Sequence, residues 1–150
     1  MKETVSANEK PKPTKEEKEL VKAALEGMAN AYAPYSGYTV GAAIRTSDGQ
    51  IFKGCNIENA AYSPCVCAER TALFKAVSEG HRSFASIAVC GGKGGRIKGV
   101  FPPCGVCRQV LREFCPTNMP VLLIKSKTSF ERTTLGELLP MSFSPADIDK

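Results

Sequence analysis

Cys67-Ala68-Glu69-Arg70, answered by Pro103-Cys104-Gly105-Val106-Cys107, is the divided stretch on which the reading of this chain turns. Each half opens a run with helical character. Cys67 to Glu79 keeps helical periodicity and stops at Gly80, a residue suited to the position just past a helix end. Cys104 to Cys115 carries Val106, Val110, Leu111 and Phe114 on one side and is closed by Pro116. Two thiols spaced Cys-x-x-Cys at the first turn of a helix can grip one tetrahedral ion, and the free N–H groups there favour thiolate. Such a pair alone also serves redox chemistry and structural zinc. A zinc site that does chemistry holds three protein ligands and leaves the fourth position to water. Cys67 is the natural third ligand, because it opens a helix and sets Glu69 on the first turn beside the metal. Cys65, two residues earlier, competes for that place. Three thiolates on Zn²⁺ make a net negative centre that needs a compensating cation, and Arg70 is placed to donate hydrogen bonds to the sulfurs.

Working outward, the spacing predicts a first helix from Thr14, its N-cap, with Glu17 at the capping-box position and Leu20, Val21, Ala24, Leu25, Met28 and Tyr32 at helical intervals up to Pro34. Tyr38 to Arg45 and Ile51 to Asn56 read as a hairpin across the turn Ser47-Asp48-Gly49-Gln50. Ile57 to Pro64 is a loop, Ser86 to Cys90 a short buried strand, and Gly91 to Gly99 a flexible surface loop without a phosphate-binding fingerprint. Val121 to Ile124 and Glu131 to Thr134 complete the strands, and a short helix runs through Leu138-Leu139. Strands alternating with helices after an opening hairpin imply an α/β sandwich with a mixed sheet. Residues 1–13, rich in Lys, Glu, Pro and Thr, are expected to form a disordered tail, leaving 14–150 as a single catalytic domain.

Composition narrows the class. Seven cysteines without an apolar secretory segment point to metal ligands and buried thiols rather than disulfides, and to a cytoplasmic protein. No apolar run approaches the ~20 residues of a membrane span. The net charge of +5 is spread along the chain without a dense basic and aromatic stripe, so neither nucleic acid nor membrane is an expected partner. His81, the single histidine, follows the helix-ending Gly80 and is expected to be exposed. Cys55, Cys90 and Cys115 fit small buried hydrophobes.

The metal motif has the pattern of the zinc deaminases in their all-cysteine form. With Ala31-Tyr32-Ala33-Pro34-Tyr35-Ser36, Gly54-Cys55-Asn56-Ile57-Glu58-Asn59-Ala60, Cys67-Ala68-Glu69-Arg70-Thr71-Ala72 and Pro103-Cys104-Gly105-Val106-Cys107-Arg108-Gln109, the chain resembles the small homotetrameric cytidine deaminases. The resemblance spans roughly Leu20 to Phe143. It implies a three-layer α/β/α sandwich with a five-stranded mixed sheet, one Zn²⁺ per subunit, and hydrolysis of free cytidine and 2′-deoxycytidine to the uridines plus ammonia, in pyrimidine salvage. It implies Glu69 as the group that takes the proton from water, passes it to N3 and later protonates the leaving ammonia. Asn56 and Glu58 match its ribose readers, and Ala60 and Tyr62 share their substrate-facing loop. Tyr38 stands where the family has Phe against the pyrimidine. Phe143 matches an aromatic delivered across a subunit interface, so the sites of the homotetramer are interdependent. Two relatives in chemistry compete: an aminonucleoside deaminase of the blasticidin-S type, and a polynucleotide cytosine deaminase. A non-catalytic zinc module is the reading outside enzymology.

Overall fold

A computed structural model describes residues 10–148. Most of the expected tail, residues 1–9, lies outside the described residues, as do 149–150; Lys10 to Pro13 run exposed and without regular structure into the first helix. The elements are α1 (Lys15–Met28), β1 (Tyr38–Thr46), β2 (Ile51–Cys55), α2 (Ala68–Ser78), β3 (Phe84–Lys93), α3 (Gly105–Phe114), β4 (Pro120–Ile124), β5 (Phe130–Thr134), α4 (Leu135–Leu138) and α5 (Pro145–Ile148). The five strands form one sheet in the order β2-β1-β3-β4-β5. β3 and β4 run parallel, with α3 in the connection between them, and the other neighbours are antiparallel. The sheet is therefore mixed, as the strand pattern requires.

Period-two alternation builds three layers from it. Ile44, Ile87, Val89, Val121 and Leu123 point to the face covered by α2, α3 and α4. Their alternates Ala43, Ala88, Cys90, Leu122 and Ile124 point to the face covered by α1, against Leu20, Val21 and Ala24. Two glycines let the helices come down onto the strands. A Cβ at Gly41 would stand 2.2 Å from the Ala24 carbonyl oxygen of α1, and one at Gly54 would stand 2.4 Å from the Ala68 carbonyl oxygen of α2. The α2 contact matters most, because it seats the first turn of the helix that carries Cys67 and Glu69.

Several boundaries differ from the sequence reading. The capping box of Thr14 and Glu17 is present, but α1 stops at Met28 rather than at Pro34. The reason is competition for backbone groups: the Tyr32 amide donates to the Asn56 carbonyl and the Glu58 amide to the Tyr32 carbonyl, so this segment pairs with the loop after β2. β3 is twice the expected length and takes in Gly91 to Lys93, because β1 continues alongside and pairs Val40 with Gly91 and Tyr38 with Lys93. Val106 is exposed instead of packed with Leu111, and the buried side of α3 runs through Cys107 and Leu111. α4 begins at Leu135, where Thr134 accepts the Glu137 amide as an N-cap, and ends at Leu138. α5 was not anticipated.

Candidate metal centre

Cys67 and Cys104 are the N-caps of α2 and α3, both in extended conformation and neither using its sulfur to cap the helix. Because α2 and α3 lie side by side on one face of the sheet, the two N-termini converge and the sulfurs are left to face one another. The thiols of Cys67, Cys104 and Cys107 all lie within 4.8 Å of one another, with Cys67 and Cys104 sulfurs 3.8 Å apart. Four-coordinate zinc with Zn–S bonds of ~2.3 Å separates neighbouring sulfurs by ~3.8 Å, so this donor set fits the ion in both softness and spacing. Cys65 is not part of it: its sulfur instead accepts the Asn59 amide at 3.2 Å.

The surroundings of the trio are asymmetric. The Arg70 guanidinium donates to the Cys67 sulfur at 3.4 Å, where a thiolate would lower the cost of burying the cation and the cation that of the thiolate. The Cys67 thiol is held down to about 5, chiefly by its hydrogen bond with Cys107 and next by Arg70, whose own value is pushed up by Cys67 in turn. Cys107 moves the other way, raised by the same pairing with Cys67 and by burial. Glu69 is only 3% exposed. Burial raises its carboxyl above the ordinary glutamate value, and the Cys107 thiol lies 3.7 Å from its Oε2. A carboxyl that is buried, raised and in contact with a sulfur of the three-cysteine cluster is poised to hold a proton or give it up.

The remaining ionisable candidates fall away from the trio. Burial pushes the Cys90 thiol up to about 11 and that of Cys115 to about 12, and raises Cys55 as well, in keeping with apolar packing roles. His81, expected to be exposed, is half-buried: its ring lies 5.2 Å from that of Phe52 and its Nδ1 3.9 Å from Asp48. Its amide donates to the Ala76 carbonyl at 3.1 Å, which holds it against the end of α2.

Asn56 and Glu58 lie on the segment that follows β2. Ile57, between them, exchanges backbone hydrogen bonds with Val66 at 3.0 Å in each direction, which ties the pair to the residue before Cys67. The Asn56 side-chain amide ties this segment to β1, accepting from the Val40 N–H and donating to the Tyr38 carbonyl, both at 2.8 Å. Glu58 accepts from the amides of Tyr35 and Ser36 and from the Ser36 hydroxyl, at 3.0, 3.1 and 2.6 Å. These donors hold its carboxyl below the ordinary value, the Ser36 hydroxyl foremost.

The other expected contact residues are more open. Tyr38 is stacked on Phe101, ring centres 6.2 Å apart. Tyr62 is 69% exposed at positive φ, with Ala60 exposed nearby, and its ring makes an edge contact with Tyr35. Phe143 is 60% exposed. Among the described residues no ring contact joins Phe143 to Tyr38 or Tyr62.

Two groups of residues were missed by sequence reasoning. Ser36 and the Tyr35 amide orient Glu58, and only their place in the Tyr35-Ser36 motif hinted at it. On α3, Arg108 donates to the Leu138 carbonyl, Gln109 to the Phe143 carbonyl and Arg112 to the Ser142 hydroxyl. These bonds hang the segment bearing Phe143 on the helix that carries Cys107, and no periodicity signals bonds to groups about thirty residues away.

Residues 14–123 match the family model described as the cytidine and deoxycytidylate deaminase zinc-binding region. The chain is 50% identical over 129 residues to a cytidine deaminase of Sporosarcina psychrophila, covering 86% of this chain and 92% of that protein. The crystal structure of a cytidine deaminase from Burkholderia pseudomallei superposes with a TM-score of 0.77 at 46% identity, covering 83% of this chain and 97% of the other. A blasticidin-S deaminase of Bacillus cereus is 33% identical over 130 residues, covering 84% of this chain and 91% of that protein.

Proposed function

The chain belongs to the cytidine and deoxycytidylate deaminase family, and from that premise we propose that it is a zinc enzyme that hydrolyses the amino group from free cytidine and 2′-deoxycytidine. The observation that carries this reading is the joining of Cys67, Cys104 and Cys107 at one point with the buried Glu69 against them. Zinc bound by the three thiols would supply a Lewis acid and a water acidic enough to react near neutral pH. Glu69 would take one proton from the attacking water and give it to N3 of the ring, then carry the second, from the hydroxyl left on C4, to the amino group as it departs as ammonia. Its raised pKa suits a group that must accept and donate in one cycle. Arg70 offsets the charge of the thiolates and keeps the Cys67 sulfur oriented.

Substrate class follows from the segment beside the metal. Asn56 and Glu58 read the ribose hydroxyls, and the bonds from Tyr35 and Ser36 keep Glu58 ionised and fixed, ready to accept one more hydrogen bond. A carboxylate at that position disfavours a phosphodiester, so the substrate is a free nucleoside rather than a polynucleotide. Ala60 and Tyr62 complete the sugar side, and Tyr38 and Phe143 enclose the base. Phe143, Tyr62 and Met141 are all exposed, which supports a homotetramer whose subunits complete one another's sites. The enzyme would work in the cytoplasm in pyrimidine salvage, with one Zn²⁺ per subunit. An aminonucleoside substrate of the blasticidin-S type is disfavoured by the much higher identity to a cytidine deaminase.

Ammonia release from zinc-loaded protein with cytidine, deoxycytidine, cytosine and single-stranded DNA tests the whole reading. Turnover of the two nucleosides alone is expected. Failure to turn over cytidine would sink it.

A further inference from the structure

Between β3 and α3 runs a basic loop whose cations take none of the roles assigned above. From Gly80 to Arg112 the sequence contains no Asp or Glu, yet the connection 93–101 holds Lys93, Arg96 and Lys98. These three cations line one cavity of about 600 Å³, and Tyr38 and Phe101 form its aromatic wall. No acidic residue lines the cavity, and among the described residues none of the three cations has a carboxylate within ion-pairing distance. The loop is held open by a turn at Gly94 and Gly95, both at positive φ, with the Gly94 amide anchored on the Gly37 carbonyl. Beyond that turn, the amides from Ile97 to Phe101 donate no hydrogen bond to any described residue. Three uncompensated cations, a run of free backbone N–H groups and a flat apolar wall are together a receptor for an anion carried on a ring.

We propose that this cavity binds a pyrimidine nucleotide, with its phosphate on Lys93, Arg96 and Lys98 and its base against the Tyr38 and Phe101 rings. The cavity adjoins the substrate side, because Tyr38 lines it and is also assigned to the nucleoside base, so an occupant would alter how that ring meets a nucleoside. The charge has a direct consequence: phosphate supplies most of the affinity, and salt weakens it.

The test uses uridine 5′-monophosphate, uridine and inorganic phosphate as probes, titrated calorimetrically into zinc-loaded wild type and into the triple variant Lys93→Gln, Arg96→Gln, Lys98→Gln. All three side chains are exposed, and unfolding temperature and zinc content check that the variant folds. The monophosphate is expected to bind the variant about tenfold more weakly, as three solvent-exposed charge contacts of about twofold each would give. Uridine should bind both proteins alike, and inorganic phosphate should compete with the monophosphate on wild type. If the variant does not fold, the salt series on wild type decides: monophosphate affinity falls steeply with added NaCl while uridine affinity does not. Equal monophosphate affinity in the two proteins, or no salt dependence, overturns the proposal. So does a variant whose sedimentation changes while its monophosphate binding does not, for then the basic loop is a contact between copies of the chain. Cytidine turnover by the wild type is measured in parallel. Its absence would remove the deaminase reading and leave the nucleotide result standing.

Discussion

Gly54→Ala is expected to damage the metal centre from the far side of the helix that carries it. A Cβ at Gly54 would stand 2.4 Å from the Ala68 carbonyl oxygen and 2.5 Å from the Ala72 amide nitrogen, about 1 Å inside ordinary contact. Both atoms are backbone of α2, so no change of rotamer relieves the clash, and the helix must lift from β2. Overpacking of this kind costs about 1–3 kcal/mol. The displaced turn holds Cys67 at its cap and Glu69 just within it, while Cys104 and Cys107 stay with α3. The 3.8 Å between Cys67 and Cys104 sulfurs would then open beyond what ~2.3 Å Zn–S bonds can span. Urea unfolding should show the loss of stability, chelator competition a zinc affinity lowered about tenfold or more, and cytidine turnover a fall on the order of a hundredfold. Gly105→Ala is the control: it lies between the ligands, but its added Cβ meets nothing within 4 Å, so stability and zinc affinity should hold. Wild-type unfolding, zinc affinity and rate in Gly54→Ala would refute the argument that α2 is seated by this contact.

Glu69→Gln should keep zinc, measured by metal content, and lose turnover by roughly 10²–10⁴-fold, the usual worth of a positioned acid/base; a near-normal rate would remove Glu69 from its role. Arg70→Gln takes the cation from the Cys67 sulfur and should weaken zinc binding by about 10–100-fold, which competition with a metallochromic chelator would report. Arg132 makes two hydrogen bonds to Glu17, at 2.7 and 2.8 Å, tying α1 to the edge strand β5. Arg132 is the main cause of the lowered Glu17 pKa, so the ionised pair stabilises the fold above the ordinary glutamate value of 4.5 and that contribution fades as pH falls through the lower folded value. Wild type should therefore exceed Arg132→Gln in stability by ~0.5–1 kcal/mol at pH 7, with the gap closing in acid; a gap that persists at pH 2 would assign it to packing instead.

Where sequence reasoning succeeded, the signal was local. The capping box at Thr14 and Glu17 involves residues three apart, and each of its hydrogen bonds is present. The turn Ser47-Asp48-Gly49-Gln50 marked the hairpin and short apolar runs the buried strands, and Cys-x-x-Cys within one helical turn was enough to bring two sulfurs together. It failed where a second chain segment competes. Tyr32 kept helical spacing but gave its backbone to Asn56 and Glu58, and Gly91 to Lys93 looked like loop until β1 is laid beside them. Glu58 could be singled out by resemblance, yet its three donors come from Tyr35 and Ser36, more than twenty residues away.

The sequence by itself determined that three cysteines and a glutamate stand at the starts of two helices, because capping and helical periodicity depend on near neighbours. It favoured Cys67 over Cys65, because Cys67 opens the helix that carries Glu69, but it left Cys65 as a rival two residues away. Tertiary structure decided that. Gly54 admits α2 to the sheet, α2 lies against α3, and the two helix starts meet with the sulfurs of Cys67, Cys104 and Cys107 within 4.8 Å while that of Cys65 turns to the Asn59 amide. The Arg70 contact, by contrast, is local. Arg70 sits three residues from Cys67, one helical turn along, and so can donate to its sulfur only because the helix has formed.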